Sequence, residues 1–192
     1  MLGRREFLRA GGLTVVTTVV VAACIGDGDD DPASTPGTDG GRASSPSDAD
    51  IDVLQAASAI ELGALEAYDA VLESGVLTTD AVVERAELFR THHEEHARLL
   101  QSVIEDAGAG PVTVADTSRF DVLLGAIADE QSGVRVLFDA EGILEAAYQG
   151  SVGGYDDASL NQVAMTVGGV EARHGAVFAP TLGEQPSPTA FQ

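Results

Sequence analysis

Gly169-Val170-Glu171-Ala172-Arg173-His174 is the stretch on which the reading of this chain turns. It sets Glu171 and His174 three residues apart inside a run of helical periodicity. On an α-helix, positions i and i+3 lie on one face, so this carboxylate and this imidazole reach the same point in space. A metal ion held inside a helical bundle needs such a pair from one of its helices. One pair alone is weak; it gains weight only if other helices bring partners to the same point.

Working outward, the apolar spacing from residue 51 onward predicts four long helices. The first is expected over residues 51–74, with Asp50 or Asp52 as its N-cap and Gly75 ending it. The second is expected from about Thr78 to Ala107, its inner stripe including Phe89, His93, His96, Leu100 and Ile104. Gly108-Ala109-Gly110-Pro111 stops it. Residues 108–132 form a longer connection with a short helix over 120–129. A third helix covers residues 133–150, and a fourth runs from Asp156 or Asp157 to Phe178. No stretch alternates convincingly with period two, so the fold class is all-α. Two short-linked helix pairs joined by one long crossover, between helices two and three, make a four-helix bundle.

The two pairs repeat each other. Helix one carries Glu61 and Tyr68; helix three carries Glu141 and Tyr148, again seven residues apart. Seven residues are two turns to within about 20°, so each Glu and Tyr share a face. Helix two carries His93-Glu94-Glu95-His96, and helix four carries Glu171-Ala172-Arg173-His174. The offset between halves is 80 residues from Glu61 to Glu141 and 78 from His93 to Glu171. Each of these groups sits among apolar neighbours, and inward-facing carboxylates need a metal or protons to offset their desolvation.

This pattern resembles the ferritin-like superfamily, specifically the exported bacterial ferritin-like domain proteins, over about residues 51–179. The resemblance implies a pair of iron or manganese ions held by one Glu from each of two helices and a Glu-x-x-His from each of the others. It implies Glu61 and Glu141 as the single carboxylates, Glu171 as a bridging carboxylate, and His96 and His174 as nitrogen ligands. Tyr68 and Tyr148 are expected to hydrogen-bond carboxylates of a second shell behind the ligands.

The chain departs from the pattern at His93, where a second bridging Glu would stand. A neutral imidazole offers one lone pair, because its other nitrogen is protonated. It therefore does not bridge two cations as a carboxylate does, and it removes one negative charge, so a mononuclear or asymmetric site stands beside the dinuclear one and the expectation is one or two ions. Zinc or copper tolerates the added nitrogen better than an all-carboxylate site would. A rotated register would present His92, Glu95 and His96, the His-x-x-Glu-His pattern of inverted zinc peptidases, but that explains one helix where the repeat explains four. Arg98 and Arg173 either neutralise buried carboxylates or stand exposed.

Ahead of this domain, Arg4-Arg5-Glu6-Phe7-Leu8 resembles a twin-arginine export signal. An apolar run over residues 10–23 leads to Val21-Ala22-Ala23-Cys24, which resembles a bacterial lipobox, and Cys24 is the single cysteine of the chain. Residues 1–24 are therefore expected to be a signal, with lipid attached at Cys24. Residues 25–50, rich in Gly, Ser, Pro and Asp, are expected to be a disordered tether, and residues 180–192 a flexible tail. The expected location is the outer face of the cytoplasmic membrane.

A formal charge of −21, with every basic residue an Arg, argues against nucleic acid or anionic lipid headgroups as partners. The oligomeric state stays open, a dimer included. Two functions remain. One is an oxidoreductase-type site for metal oxidation or for dioxygen or peroxide chemistry. The other is a non-catalytic metal-binding or protein-interaction module at the cell surface.

Overall fold

The computed structural model describes residues 45–186. Cys24 and the segments read as signal and most of the tether lie outside the described residues, as do residues 187–192. Five α-helices follow in order: α1 (Asp48–Glu73), α2 (Asp80–Asp106), the short α3 (Asp121–Leu124), α4 (Glu130–Ser151) and α5 (Ala158–Phe178). A 3-10 turn, Ala179–Leu182, follows α5. Among the described residues there is no strand, and no helix is long and apolar enough to cross a membrane. The all-α bundle with its long crossover between α2 and α4 is the architecture expected from the spacing.

The helix ends differ from the sequence reading in instructive ways. α1 begins at Asp48, inside the stretch read as tether, and Ser47 caps it rather than Asp50 or Asp52. Ser47 Oγ accepts from Asp50 N at 3.1 Å, and Asp50 Oδ2 accepts from Ser47 N at 3.0 Å. This reciprocal box satisfies two amides that the first turn leaves without partners. The short connecting helix is only four residues long because Asp129 and Ser132 form a second capping box and start α4 at Glu130. The tail expectation fails for its first residues. The 3-10 turn packs on α4 and α5, and Arg135 pairs with Glu184.

α2 is capped from outside. Its N-cap residue, Thr79, makes no side-chain cap bond of its own. Instead Glu130, in the first turn of α4, accepts from the backbone amides of Thr78 and Thr79 at 2.6 and 2.7 Å and from both threonine hydroxyls at 2.7 Å. These four bonds hold its carboxyl down at about 2. The crossover is pinned at Gly63, where Asp116 N donates to Ala59 O at 2.8 Å. A Cβ at Gly63 would lie 2.2 Å from Asp116 O and 2.8 Å from the Phe120 ring.

Two apolar clusters fill the bundle. One gathers Leu54, Ile60, Leu100, Ile104, Phe120, Leu144 and Leu160; the other gathers Val71, Phe89, Val134, Leu137 and Phe178. Each fully buried side chain of this size stabilises the fold by about 1.5–3 kcal/mol. Glu61, His93, Glu141 and Glu171 are also fully buried; His93 and Glu171 fall between the two clusters along their helices, while Glu61 and Glu141 stand among members of the first. A buried polar layer thus interrupts the apolar core.

Two outcomes test this account. Gly63→Ala is expected to destabilise the protein by about 1–3 kcal/mol through the clash with the crossover. Gly169→Ala, on an open helix face with nothing within 4 Å, is expected to stabilise it by about 0.5–1 kcal/mol; urea melts of both variants check the opposite signs. The Glu130 carboxyl is depressed on folding, so its contribution is fully present above its ordinary value of 4.5 and is lost as pH falls towards about 2. The gap in Tm between wild type and Glu130→Ala should therefore be largest near neutral pH and shrink through that acid window.

Candidate metal centre

The polar layer is built from the middle turns of the four long helices. α1 contributes Glu61, α2 contributes His93 and His96, α4 contributes Glu141, and α5 contributes Glu171 and His174. All six residues named from the sequence converge. They form two overlapping donor sets, Glu61–His93–His96–Glu171 and His93–Glu141–Glu171–His174, with the donor atoms of each set within 4.8 Å of one another. His93 and Glu171 belong to both sets.

Glu171 turns one oxygen to each side. Oε1 lies 2.8 Å from His96 Nδ1, and Oε2 lies 3.1 Å from His174 Nδ1. His93 does the same with its ring: Nδ1 is 3.0 Å from Glu61 Oε2, and Nε2 is 3.2 Å from Glu141 Oε1. The tyrosines cross between the halves. Tyr68 on α1 donates to Glu141 on α4, and Tyr148 on α4 donates to Glu61 on α1 at 2.5 Å. They bond the candidate ligand carboxylates themselves, not a further shell of carboxylates as expected. The physical reason is the seven-residue spacing, which sets each ring two turns along the same inner face and opposite the other helix's Glu.

Electrostatics follow from burial and proximity. Burial works against protonating His93, but Glu141, Glu61 and Glu171 outweigh it and hold its pKa well above the ordinary imidazole value. His96 is likewise desolvated, yet Glu171 and Glu61 push it up to about 9. His174 is raised by Glu141 and Glu171 against its own burial. Burial raises Glu141, but His93 and His174 prevail and leave it below the usual carboxylate range. Both tyrosines are pushed well above their ordinary value, by burial first and then by the carboxylates they bond.

The donors fit a metal. Both Glu171 oxygens and His96 Nδ1 are buried and make no hydrogen bond; although His96 Nδ1 and Glu171 Oε1 approach to 2.8 Å, their alignment is not that of a hydrogen bond. Buried polar atoms are seldom left so. Oxygen and imidazole donors of this kind suit iron, manganese, zinc or copper.

Other residues fall outside the layer. Glu95 is exposed, so the rotated His92-Glu95-His96 register of the peptidase pattern is not formed. Arg173 is exposed and Arg98 pairs with Glu94 at the surface, so neither neutralises the buried carboxylates. His92, which the helical register leaves beside the inner stripe, reaches the layer's edge: its Nδ1 is 2.9 Å from His174 Nε2. Its place next to His93, a quarter turn off the stripe, was the available signal. Phe89 stacks on His174 at 3.9 Å between ring centres and fixes that ring from the other face.

A bundle of four long helices around a buried carboxylate–imidazole layer defines a helical protein of the kind that can hold metal ions on its axis. The family model described as a ferritin-like domain matches residues 49–184, well over half of the chain, and the chain belongs to that family. No curated protein and no solved structure matches it.

Removing either tyrosine hydroxyl strips a buried carboxylate of a donor. Tyr68→Phe and Tyr148→Phe are each expected to cost the metal-free protein about 1.5–3 kcal/mol, since the bonds are to charged acceptors. Equal losses within error, read from urea denaturation, would match their equivalent places in the two halves.

Proposed function

We propose that this domain binds one or two divalent transition-metal ions, iron or manganese before zinc or copper, and uses them for metal oxidation or for dioxygen or peroxide chemistry. The observation that carries the reading is the pair of donor sets meeting at Glu171, a buried carboxylate with no hydrogen bond of its own. Redox-active ions bound there supply one-electron chemistry that no side chain of the layer supplies alone. The chain's own residues hold and tune the site. Glu61 and Glu141 each present carboxylate oxygens while a tyrosine from the opposite helix fixes their orientation. Phe89 and His92 orient His174, leaving its Nδ1 towards Glu141 and Glu171. Apolar layers on both sides exclude bulk water.

Entry favours small reactants. His96 is the most open of the six, at 14% exposure against 3% or less for the others. A surface groove bordered by Asp116 and Arg119 reaches Tyr148, whose hydroxyl holds Glu61.

The lipobox supports an exported protein anchored to the membrane through lipid on Cys24, with residues 25–47 linking the anchor to α1. Mass spectrometry of the processed chain, compared with Cys24→Ser, checks that part: a lipid mass increment absent from the variant is expected.

A second reading has an observation of its own. Three imidazoles face three carboxylates in the layer, and His93 bonds both Glu61 and Glu141. Such a core is close to neutral without metal, which favours a non-catalytic interaction module. Metal analysis of the purified chain after loading with Fe2+ under nitrogen separates the two. One or two ions per chain, lost in Glu171→Ala, with the bound Fe2+ oxidised faster than in buffer once dioxygen is admitted, is the expected result. An unmetallated wild type whose Tm does not respond to added Fe2+ or Mn2+ would leave the interaction module standing.

A further inference from the structure

We propose that divalent ions enter the layer through the edge between α2 and α5, where His92 and His96 offer their outer ring nitrogens as a capture site on the helix surface. This inference rests on the metal-binding reading above and adds to it the route of the ion and a site for it outside the two donor sets.

Three sides of the bundle are held shut at the level of the layer. α4 and α5 approach so nearly that a Cβ at Gly168 would lie 2.9 Å from Tyr148 Cβ, and one at Gly175 would lie 3.6 Å from Glu141 Cβ. Between α1 and α4 the tyrosine hydroxyls cross and hold Glu141 and Glu61. α1 and α2 are tied by Arg90, which donates to Asp69 through Nε at 2.5 Å and through Nη2 at 3.0 Å. The groove that ends at Tyr148 has apolar walls from α1 and α4, among them Val53, Ala57, Ile60 and Ala147. Its rim side chains Asp116 and Ser151 are engaged with Ser118 and with the Tyr148 carbonyl, and the tyrosine hydroxyl is turned to Glu61. A hydrated ion entering there would lose water with nothing to replace it.

The fourth side is lined by imidazoles. His92 Nδ1 lies 2.9 Å from His174 Nε2, and His96 Nδ1 lies 2.8 Å from Glu171 Oε1, so both rings of α2 touch donors carried by α5. Their Nε2 atoms are not buried and make no hydrogen bond among the described residues. Each ring thus has one nitrogen on the layer and one on solvent. The two residues stand four apart, which makes them neighbours on one face of α2, and such a pair is a recurrent way for one helix to hold a cation. Glu95, exposed beside them, adds negative charge at this edge. The His92 ring is held in place: it stacks on His174 at 5.1 Å between ring centres, with 19° between the planes. His92 belongs to neither donor set, so its outer nitrogen is free for an ion that is not yet in the layer. Passage inward exchanges the outer nitrogens and the remaining water for the donors of the layer, and no electron is transferred. Replacing water in two stages lowers the cost of bringing an ion into a water-excluded core.

Cobalt is the probe, because its visible absorption changes when protein donors replace water around it. The full chain, freed of metal, is mixed with Co2+ in a stopped-flow instrument, and the rate of that change and the number of ions bound at saturation are both measured. His92→Ala and His92→Gln are each expected to bind as many ions as the wild type at saturation, but several-fold more slowly. His92→Gln keeps an amide that can hydrogen-bond His174, so a role confined to orienting His174 predicts the wild-type rate for it. Ala56→Trp, which covers the exposed mouth of the groove at Tyr148, is expected to leave the rate unchanged. A wild-type rate in either His92 variant would overturn the capture site while leaving metal binding intact. So would fewer bound ions in either variant, or slower uptake in Ala56→Trp. A wild type that takes up no cobalt, iron or manganese would overturn the metal-binding reading itself.

Discussion

Everything in this bundle answers to one constraint: three carboxylates have been taken out of water and placed on its axis. Desolvating a carboxylate costs several kcal/mol even after relaxation. Glu61, Glu141 and Glu171 are each at most 1% exposed, so the cost falls on all three. The surrounding arrangement offsets it. His93 lies between two of them, His96 and His174 flank the third, and the two tyrosines donate across the bundle. The two oxygens of Glu171 and Nδ1 of His96 keep no hydrogen bond, and they are the part of the layer that protein groups alone leave unsatisfied among the described residues.

That arrangement has an approximate twofold character with one deliberate exception in its chemistry. Tyr68–Glu141 and Tyr148–Glu61 are equivalent contacts from the two halves. Glu171 and His93 are equivalent positions, yet one is a carboxylate and the other an imidazole. Both divide two donor atoms between the same two sets. The exchange changes the protonation state of the metal-free layer more than its shape. An imidazole that is protonated between two carboxylates neutralises them, which a second Glu in its place would not do.

The repeat was legible because ligand-bearing helices must present their donors with helical spacing, and the spacing survives in the primary sequence. Glu-x6-Tyr followed about thirty residues later by an x-x-His pair is visible twice without any knowledge of packing. The helix starts were less legible. Ser47 lies in a run of polar residues whose composition reads as tether, and only its reciprocal bonds with Asp50 mark it as a cap. The cap of α2 could not be found locally at all, because its acceptor, Glu130, lies about fifty residues further on. The partners of the tyrosines are hidden from the sequence for the same reason: an inner-face hydroxyl meets whatever the opposite helix brings, and that is set by packing.

What the sequence by itself determined is the helix count, the inner faces and the six side chains able to meet in one layer. Those follow from local periodicity and from the pairing of residue types that bind cations. What only the tertiary structure decided is how the layer is wired. The crossing of the tyrosines, the edge contact of His92, the exclusion of Glu95 and the division of His93 between two donor sets depend on helix rotation and approach. Rotation and approach are set by close contacts such as Gly63 against Asp116 and Gly168 against Tyr148, where a missing Cβ lets two segments meet. No single helix contains that information, because it resides in the shape of the surface facing it.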